Sequence, residues 1–350
     1  MESVVDIVLL SFLCITVVAI VYIRKLFCAI MLLGIFSLLS ASLFVTMDAV
    51  DVAFTEAAVG TGISSILLLS ALALTHTREQ RPPHQPYIAL LVVVVTGAVL
   101  IYGTMDLPRF GDPNSPIHRH VAVRYIADSP HEVGPPNIVT SVLASYRGYD
   151  TLGETVVIFT AGIALVGLLG FRRRQEFKVR LYQPMDKKTS YAENSTEDGD
   201  EFEDNIKLPG ANHMVLRIVG KMFIPLILLF ALYVQFHGDY GPGGGFQAGV
   251  IFASGIILYA LIFDVETAMR VITPKGLRLL AVAGVFIYGG VGLVCMFLGG
   301  NFLDYNVLSA HPLHGQHLGI FLIELGVGIN VFAIMVIMFY TFANRKRGSV

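Results

Sequence analysis

The chain has 350 residues, of which 55% are hydrophobic and only 14% charged, with a mean hydropathy of +0.69. Soluble domains carry about 25% charged residues, so this composition excludes a soluble globular protein and points to an all-α integral membrane protein. The net charge of −2 offers no attraction for nucleic acid or an anionic substrate.

The first apolar run follows Glu2 and Asp6 rather than a basic segment, and no small-residue cleavage site follows it. It reads as a retained helix, not a secretory signal. Cys14, Cys28 and Cys295 fall in or beside apolar runs, with no Cys-x-x-C spacing and no adjacent His. Neither thiolate metal ligation nor a haem or iron–sulfur cofactor is expected.

Nine transmembrane helices are predicted, each near the ~20 residues that cross a bilayer. They fall at Val4–Ile23, Leu26–Thr46, Val52–Thr75, Tyr87–Gly103, Thr151–Phe171, Met214–Phe236, Phe246–Phe263, Leu277–Leu298 and Leu318–Phe342. Alternate connections carry Arg24/Lys25, Arg78/Arg81, Arg172 through Arg217, Arg270/Lys275/Arg278 and Arg345/Lys346/Arg347. The other connections hold only Arg109, Arg119, Arg124 and Arg147. The positive-inside rule then puts the N-terminus outside and the C-terminus in the cytoplasm.

Two long connections divide the chain. The outer one, 104–150, is rich in Pro, Gly and His. The inner one, 172–212, turns from basic (Arg172-Arg173-Arg174) to acidic (Glu193 to Asp204) without hydrophobic periodicity, as a linker does. It separates a five-helix unit from a four-helix unit. Its Asn194-Ser195-Thr196 sequon stays unused on the cytoplasmic side.

Four constellations carry chemistry. Glu56 lies about 6 Å inside the third span, where an ionisable group costs on the order of 2.5–3.5 kcal/mol. Ala53, Ala57, Gly60 and Ser64 give that helix a small-residue face for a close neighbour. Gly60 and Gly62 weaken it just past the acid, where a bulge would expose carbonyls. Asp48 and Asp51 stand at the outer mouth. This pattern suits proton exchange or a Na⁺ ion near Glu56; the alternative is a carboxylate satisfied by a neighbouring helix. Next, Tyr146 through Glu154 opens the fifth span, and its acids also suit a helix N-terminus.

The third is His237-Gly238-Asp239-Tyr240-Gly241-Pro242-Gly243-Gly244-Gly245-Phe246-Gln247. No strand precedes it and no Lys-Ser/Thr follows, so it is no phosphate-binding loop; its glycines permit a tight turn at membrane depth. His237 is either structural or a proton relay. The fourth is Glu324, about 9 Å inside the ninth predicted span. Upstream, His311, His314 and His317 read as solvated loop histidines rather than a zinc site, since Pro312 interrupts them. Lys221 sits inside the sixth span, either snorkelling to the headgroups or lining a proton path.

These residues carry a resemblance. Arg24–Gly62 is similar to the C-terminal region of the large A subunit of Mrp-type multisubunit Na⁺/H⁺ antiporters, a module also found in the D subunit of membrane-bound hydrogenases. Pro136-Asn137-Ile138-Val139 through Glu154 resembles the next module, as in the E subunit of those hydrogenases. Met214–Phe342, with His237-Gly238 and Pro242–Gln247, resembles the B subunit of the antiporters. Ala248 stands where that family often has glycine, and Asp239-Tyr240-Gly241 departs from its commoner spacer. The antiporter-like half of the A subunit has no counterpart, so the resemblance implies one subunit of a larger transporter and not an enzyme.

The expected organisation is a three-helix module at 1–80, a two-helix module at 81–172, the linker at 173–212 and a four-helix module at 213–350. The expected function is that of a subunit in a cation/proton antiporter of the prokaryotic plasma or inner membrane. Glu56, Glu154, Glu324, His237, Lys221 and Asp51 are its ion-path candidates, and its partners are other complex subunits, lipid, H⁺ and Na⁺. A subunit of a redox-driven hydrogenase or complex I relative is the alternative, and a structural scaffold subunit is the third reading.

Overall fold

The computed structural model describes residues 2–75, 77–79, 86–109, 111–170 and 214–344. The 173–212 linker and its sequon lie outside them. The described residues are helical, without a strand, and contain nine helices long and apolar enough to cross a membrane. These are α1 (Glu2–Tyr22), α2 (Leu26–Thr46), α3 (Val50–Leu72), α4 (Pro86–Thr104), α6 (Gly148–Gly170), α7 (Met214–His237), α8 (Gly245–Phe263), α10 (Pro274–Phe297) and α11 (Pro312–Ala343). Two shorter helices, α5 (Val121–Glu132) and α9 (Val265–Val271), sit in the connections.

Local sequence explains several boundaries. Thr273 caps α10 by accepting from the Gly276 amide at 3.1 Å, with Pro274 in the first turn. Pro312 likewise opens α11 six residues before the expected start, so Glu324 lies about 18 Å along that helix. Past Glu56 the chain is wound as a π-helix over Ala57–Ile63, at the weak point marked by Gly60 and Gly62.

α11 is the central helix. It packs on α10, α8 and α6, and α7 packs on α8. Glycine lets the backbones meet: a methyl on Gly249 would come within 2.6 Å of the Gly328 carbonyl, and one on Gly284 within 2.5 Å of the Gly326 carbonyl. α1 packs on α2, and α2 packs on α3 through buried Gly34, Ser37 and Ala41. α3 reaches α8 and α11, which joins the two ends of the sequence. α4 is exposed along its length.

A second π-helical stretch, Ser141–Tyr146, leads into α6 and leaves carbonyls without helical donors. Side-chain hydroxyls take them up. Thr151 donates to Leu143 O at 2.8 Å and Tyr305 to Ala144 O at 3.0 Å, while Tyr288 adds a bond to Gly148 O, in the first turn of α6, at 2.7 Å. Both tyrosines are fully buried, so this capping fixes α6 against α10 and the loop before α11.

Candidate functional site

At one end of the bundle the loop Gly238–Gly244 folds over the side chain of Glu324. A methyl on Gly238 would fall 2.9 Å from Glu324 Oε2, and one on Gly244 would fall 3.1 Å from Oε1. Gly244 also has φ +114°, which a side chain would strain. Gly245 packs directly on the Glu324 backbone carbonyl, so a side chain there has no room. The glycines are therefore what allows a carboxylate to sit against the backbone at this point.

Two more acids close the group. Asp51, in the first turn of α3, accepts from the Gly243 amide at 3.4 Å and from Asn137 Nδ2 at 3.5 Å. Asp239 lies in the loop and pairs with His317 Nδ1 at 3.0 Å. The three acids thus meet at one loop: Glu324 against Gly238 and Gly244, Asp51 on the Gly243 amide, and Asp239 within the loop itself. Neither a hydrogen bond nor an ion pair to the Glu324 carboxylate is found among the described residues. One turn along α3, Thr55 Oγ1 receives Gln247 Nε2 at 2.8 Å, tying α3 to the start of α8. Three carboxylates held this close repel one another, and protons or cations among them relieve the repulsion.

Among the six ion-path candidates, the fold brings together Asp51 and Glu324. Glu56 lies one turn deeper in α3 than Asp51; it is half-buried, and its Oε1 points over Gly60 beside Ser37 of α2. Its carboxylate also lacks a hydrogen bond or ion pair among the described residues. The small face of α3 thus serves α2. His237 ends α7, stacks on Tyr233 at 4.9 Å and borders Gly241. Glu154 is exposed on α6, near Asp150, which itself pairs with Arg147. Lys221 is exposed in the first third of α7, at the end away from His237, with its Nζ 5.4 Å above the Phe263 ring, and stands apart from the acids.

Sequence reasoning met Asp239 and Gln247 only as members of the glycine-rich loop and Asn137 only in the resemblance, and it read His317 as a solvated loop histidine, which the structure corrects. His317 is half-buried in α11 and holds Asp239, unlike exposed His311 and His314, which stack edge-on at 5.5 Å. An Asn before Ile138-Val139-Thr140 was a helix-cap signal, and Asn137 does accept from the Val139 amide at 3.0 Å. Among the described residues there is no group of three or more His, Cys, Asp or Glu arranged to hold a metal ion.

Comparison with known proteins divides the sequence in three. Residues 11–77 match the MbhD family model, which describes the D subunit of MBH, and residues 88–185 match the MbhE family model, which describes its E subunit. Residues 215–337 match the domain related to the MnhB subunit of Na⁺/H⁺ antiporter. A Staphylococcus aureus (strain Newman) protein named as antiporter subunit mnhB2 is 38% identical over 128 residues, covering 36% of this chain and 90% of the relative. The strain COL protein of the same name gives the same figures. The Mrp complex from Dietzia sp. DQ12-45-1b contains a chain that superposes with a TM-score of 0.67 at 25% identity, over 95% of this chain and 34% of that one. This chain thus spans about a third of the length of that relative. The membrane-bound sulfane sulfur reductase (MBS), an archaeal respiratory membrane complex, gives a TM-score of 0.50 at 25% identity, over 72% of this chain and 97% of that one.

Proposed function

Because this chain belongs to the family of domains related to the MnhB subunit of the Na⁺/H⁺ antiporter, we propose that its half-buried carboxylates exchange protons and cations within a multisubunit antiporter. It is a multi-pass membrane protein and a subunit rather than a whole transporter. The observation that carries the proposal is Glu324, a carboxylate without a hydrogen-bond partner under a glycine loop, with Asp239 and Asp51 beside it. Intramembrane acids of this kind mark ion pathways. Asp51 at the mouth and Glu56 a turn deeper supply a second line of oxygens along α3, leading to a π-helix whose winding loosens the carbonyl ladder.

The modules at 1–80, 81–172 and 213–350 contribute Asp51 and Glu56, the Asn137 segment, and the glycine loop with Glu324, respectively. The five helices before the 173–212 linker and the four after it act together at one face. The basic connections face the cytoplasm, so the N-terminus and the glycine loop face out and the C-terminus faces in. Cations therefore enter at Asp51 and Asp239. Na⁺ and H⁺ are the exchanged ions, and the other antiporter subunits are the partners.

The MBS likeness, which spans 97% of that chain, favours a second reading in which the same acids serve a redox-driven complex. Co-purification decides: antiporter subunits alone support exchange, and iron–sulfur subunits support the redox reading. The ion reading itself is tested by carbodiimide modification of the purified complex. Glu324 is expected to be labelled without Na⁺ and protected by added Na⁺. Labelling that ignores Na⁺ would contradict cation occupancy at this acid.

A further inference from the structure

Asn137 stands where the three modules meet. Its Oδ1 accepts from the Val139 amide at 3.0 Å, which caps Ile138–Thr140 and fixes which way round the side-chain amide lies. Nδ2 is thereby turned toward three oxygens. Gly241 O is 3.0 Å away, Gly238 O 3.2 Å and Asp51 Oδ1 3.5 Å. The Asn137 backbone amide donates to Asp239 O at 3.1 Å. Thr140 Oγ1 adds a bond of 2.7 Å to Gly238 O, and the Gly243 amide closes the ring onto Asp51. Asp51 belongs to the stretch 11–77, Asn137 and Thr140 to 88–185, and the loop to 215–337.

We propose that Asn137 is a positioning residue that holds Asp51 and the Gly238–Gly243 loop in register over Glu324, so that the middle module sets the geometry of an acid site built by the other two. The functional half of this rests on the reading of those acids as part of the ion path. The chemistry fits an asparagine closely. Two carbonyls and a carboxylate brought to one point repel unless donors stand between them, and a carbonyl left without a donor costs free energy. One side-chain amide supplies two N–H groups without adding charge, while its own oxygen satisfies the cap. A serine keeps the cap but is too short to reach the loop. An aspartate has the same shape and keeps the cap, but turns the donor into another acceptor.

Asn137→Ser and Asn137→Asp therefore separate capping from positioning. Both are made in the full chain and assembled in the complex. Hydrogen exchange is followed on a peptide covering Gly238–Gly244, and Na⁺-driven ΔpH is measured across a range of Na⁺ concentrations. In Asn137→Ser, loop exchange should rise about ten-fold, as expected for losing bonds to two backbone carbonyls. In Asn137→Asp it should rise at least as much. The Na⁺ concentration for half-maximal ΔpH should rise about five-fold in Asn137→Ser while the maximal rate holds, a split that a general folding defect does not give. Unchanged loop exchange in both variants overturns the proposal, whatever the transport rates do. Faster loop exchange with unaltered Na⁺ dependence supports the positioning role and removes the acids from the ion path. If Asn137→Ser fails to assemble, the isosteric Asn137→Asp alone decides by the same exchange readout.

Discussion

Gly238→Ala is a sensitive probe of the glycine loop. Gly238 does not have a positive φ, so alanine is allowed by the backbone and only space is at issue. The new methyl would lie 2.9 Å from Glu324 Oε2, 3.0 Å from Gly244 Cα and 3.1 Å from Gly244 N. The carboxylate end can swing, but the Gly244 backbone cannot, so the loop itself must move by a few tenths of an ångström. Overpacking of this kind costs about 1–3 kcal/mol, and every ~1.4 kcal/mol is a factor of ten in an equilibrium. The equilibrium between closed and open loop should therefore shift against the closed form by at least about five-fold. The assay is Na⁺-driven ΔpH in everted vesicles, with subunit content checked by blotting. Half-maximal Na⁺ is expected to shift while the complex assembles. Gly97→Ala is the control, because nothing lies within 4 Å of a methyl there. If Gly238→Ala and Gly97→Ala behave alike, the argument that the loop shapes the acid site is refuted.

Gly249→Ala places a methyl 2.6 Å from Gly328 O and 2.9 Å from Val331 Cβ, both immobile, and should destabilise the α8–α11 contact by about 1–3 kcal/mol. Thermal inactivation of the complex measures this, with Gly290→Ala as the neutral control. Lys221→Gln should leave antiport unchanged, since that side chain is exposed beside Phe263; a large loss of ΔpH would place Lys221 on the path after all. The segment from α5 to Tyr146 should loosen at both pH extremes. Hydrogen bonds from Arg124 and then Tyr146 hold the Glu132 carboxyl below the usual 4.5, so its contribution is present above that value and is lost as pH falls through the lower folded one. Burial, then the Glu132 bond, pushes Tyr146 from 10.0 up to about 12, so its contribution is present below pH 10 and is lost as pH rises toward 12. Pepsin cleavage within 121–146 should grow on the acid side, and Glu132→Gln should abolish that pH step.

Much of this architecture is written in local sequence. Apolar length marks all nine candidate spans, and the glycines at 60 and 62 mark where α3 departs from α-helical winding. Glu324 stands out as an acid in a long apolar run for the same reason as Glu56. What periodicity does not carry is which distant side chains meet. Asn137 and Gly241 are joined by a bond across more than a hundred positions, and His317 finds Asp239 across 78. The histidines at 311, 314 and 317 look alike in sequence, yet only one of the three turns toward the loop. The helical start at Pro312, where a proline suits the first turn, places His317 one turn and a half inside α11 rather than in a solvated connection. Glu154 shows the converse: an acid near a helix start satisfies the same sequence criterion as Asp51, and it is packing against α8 and the loop that separates the two.

Na⁺-driven ΔpH in vesicles carrying Glu324→Gln is the sharpest measurement. Glutamine keeps the shape under the glycine loop but neither takes up a proton nor offers charge to a cation. With the complex present in normal amount, exchange should fall by at least about ten-fold. Wild-type exchange in that variant would contradict the assignment of Glu324 to the ion path.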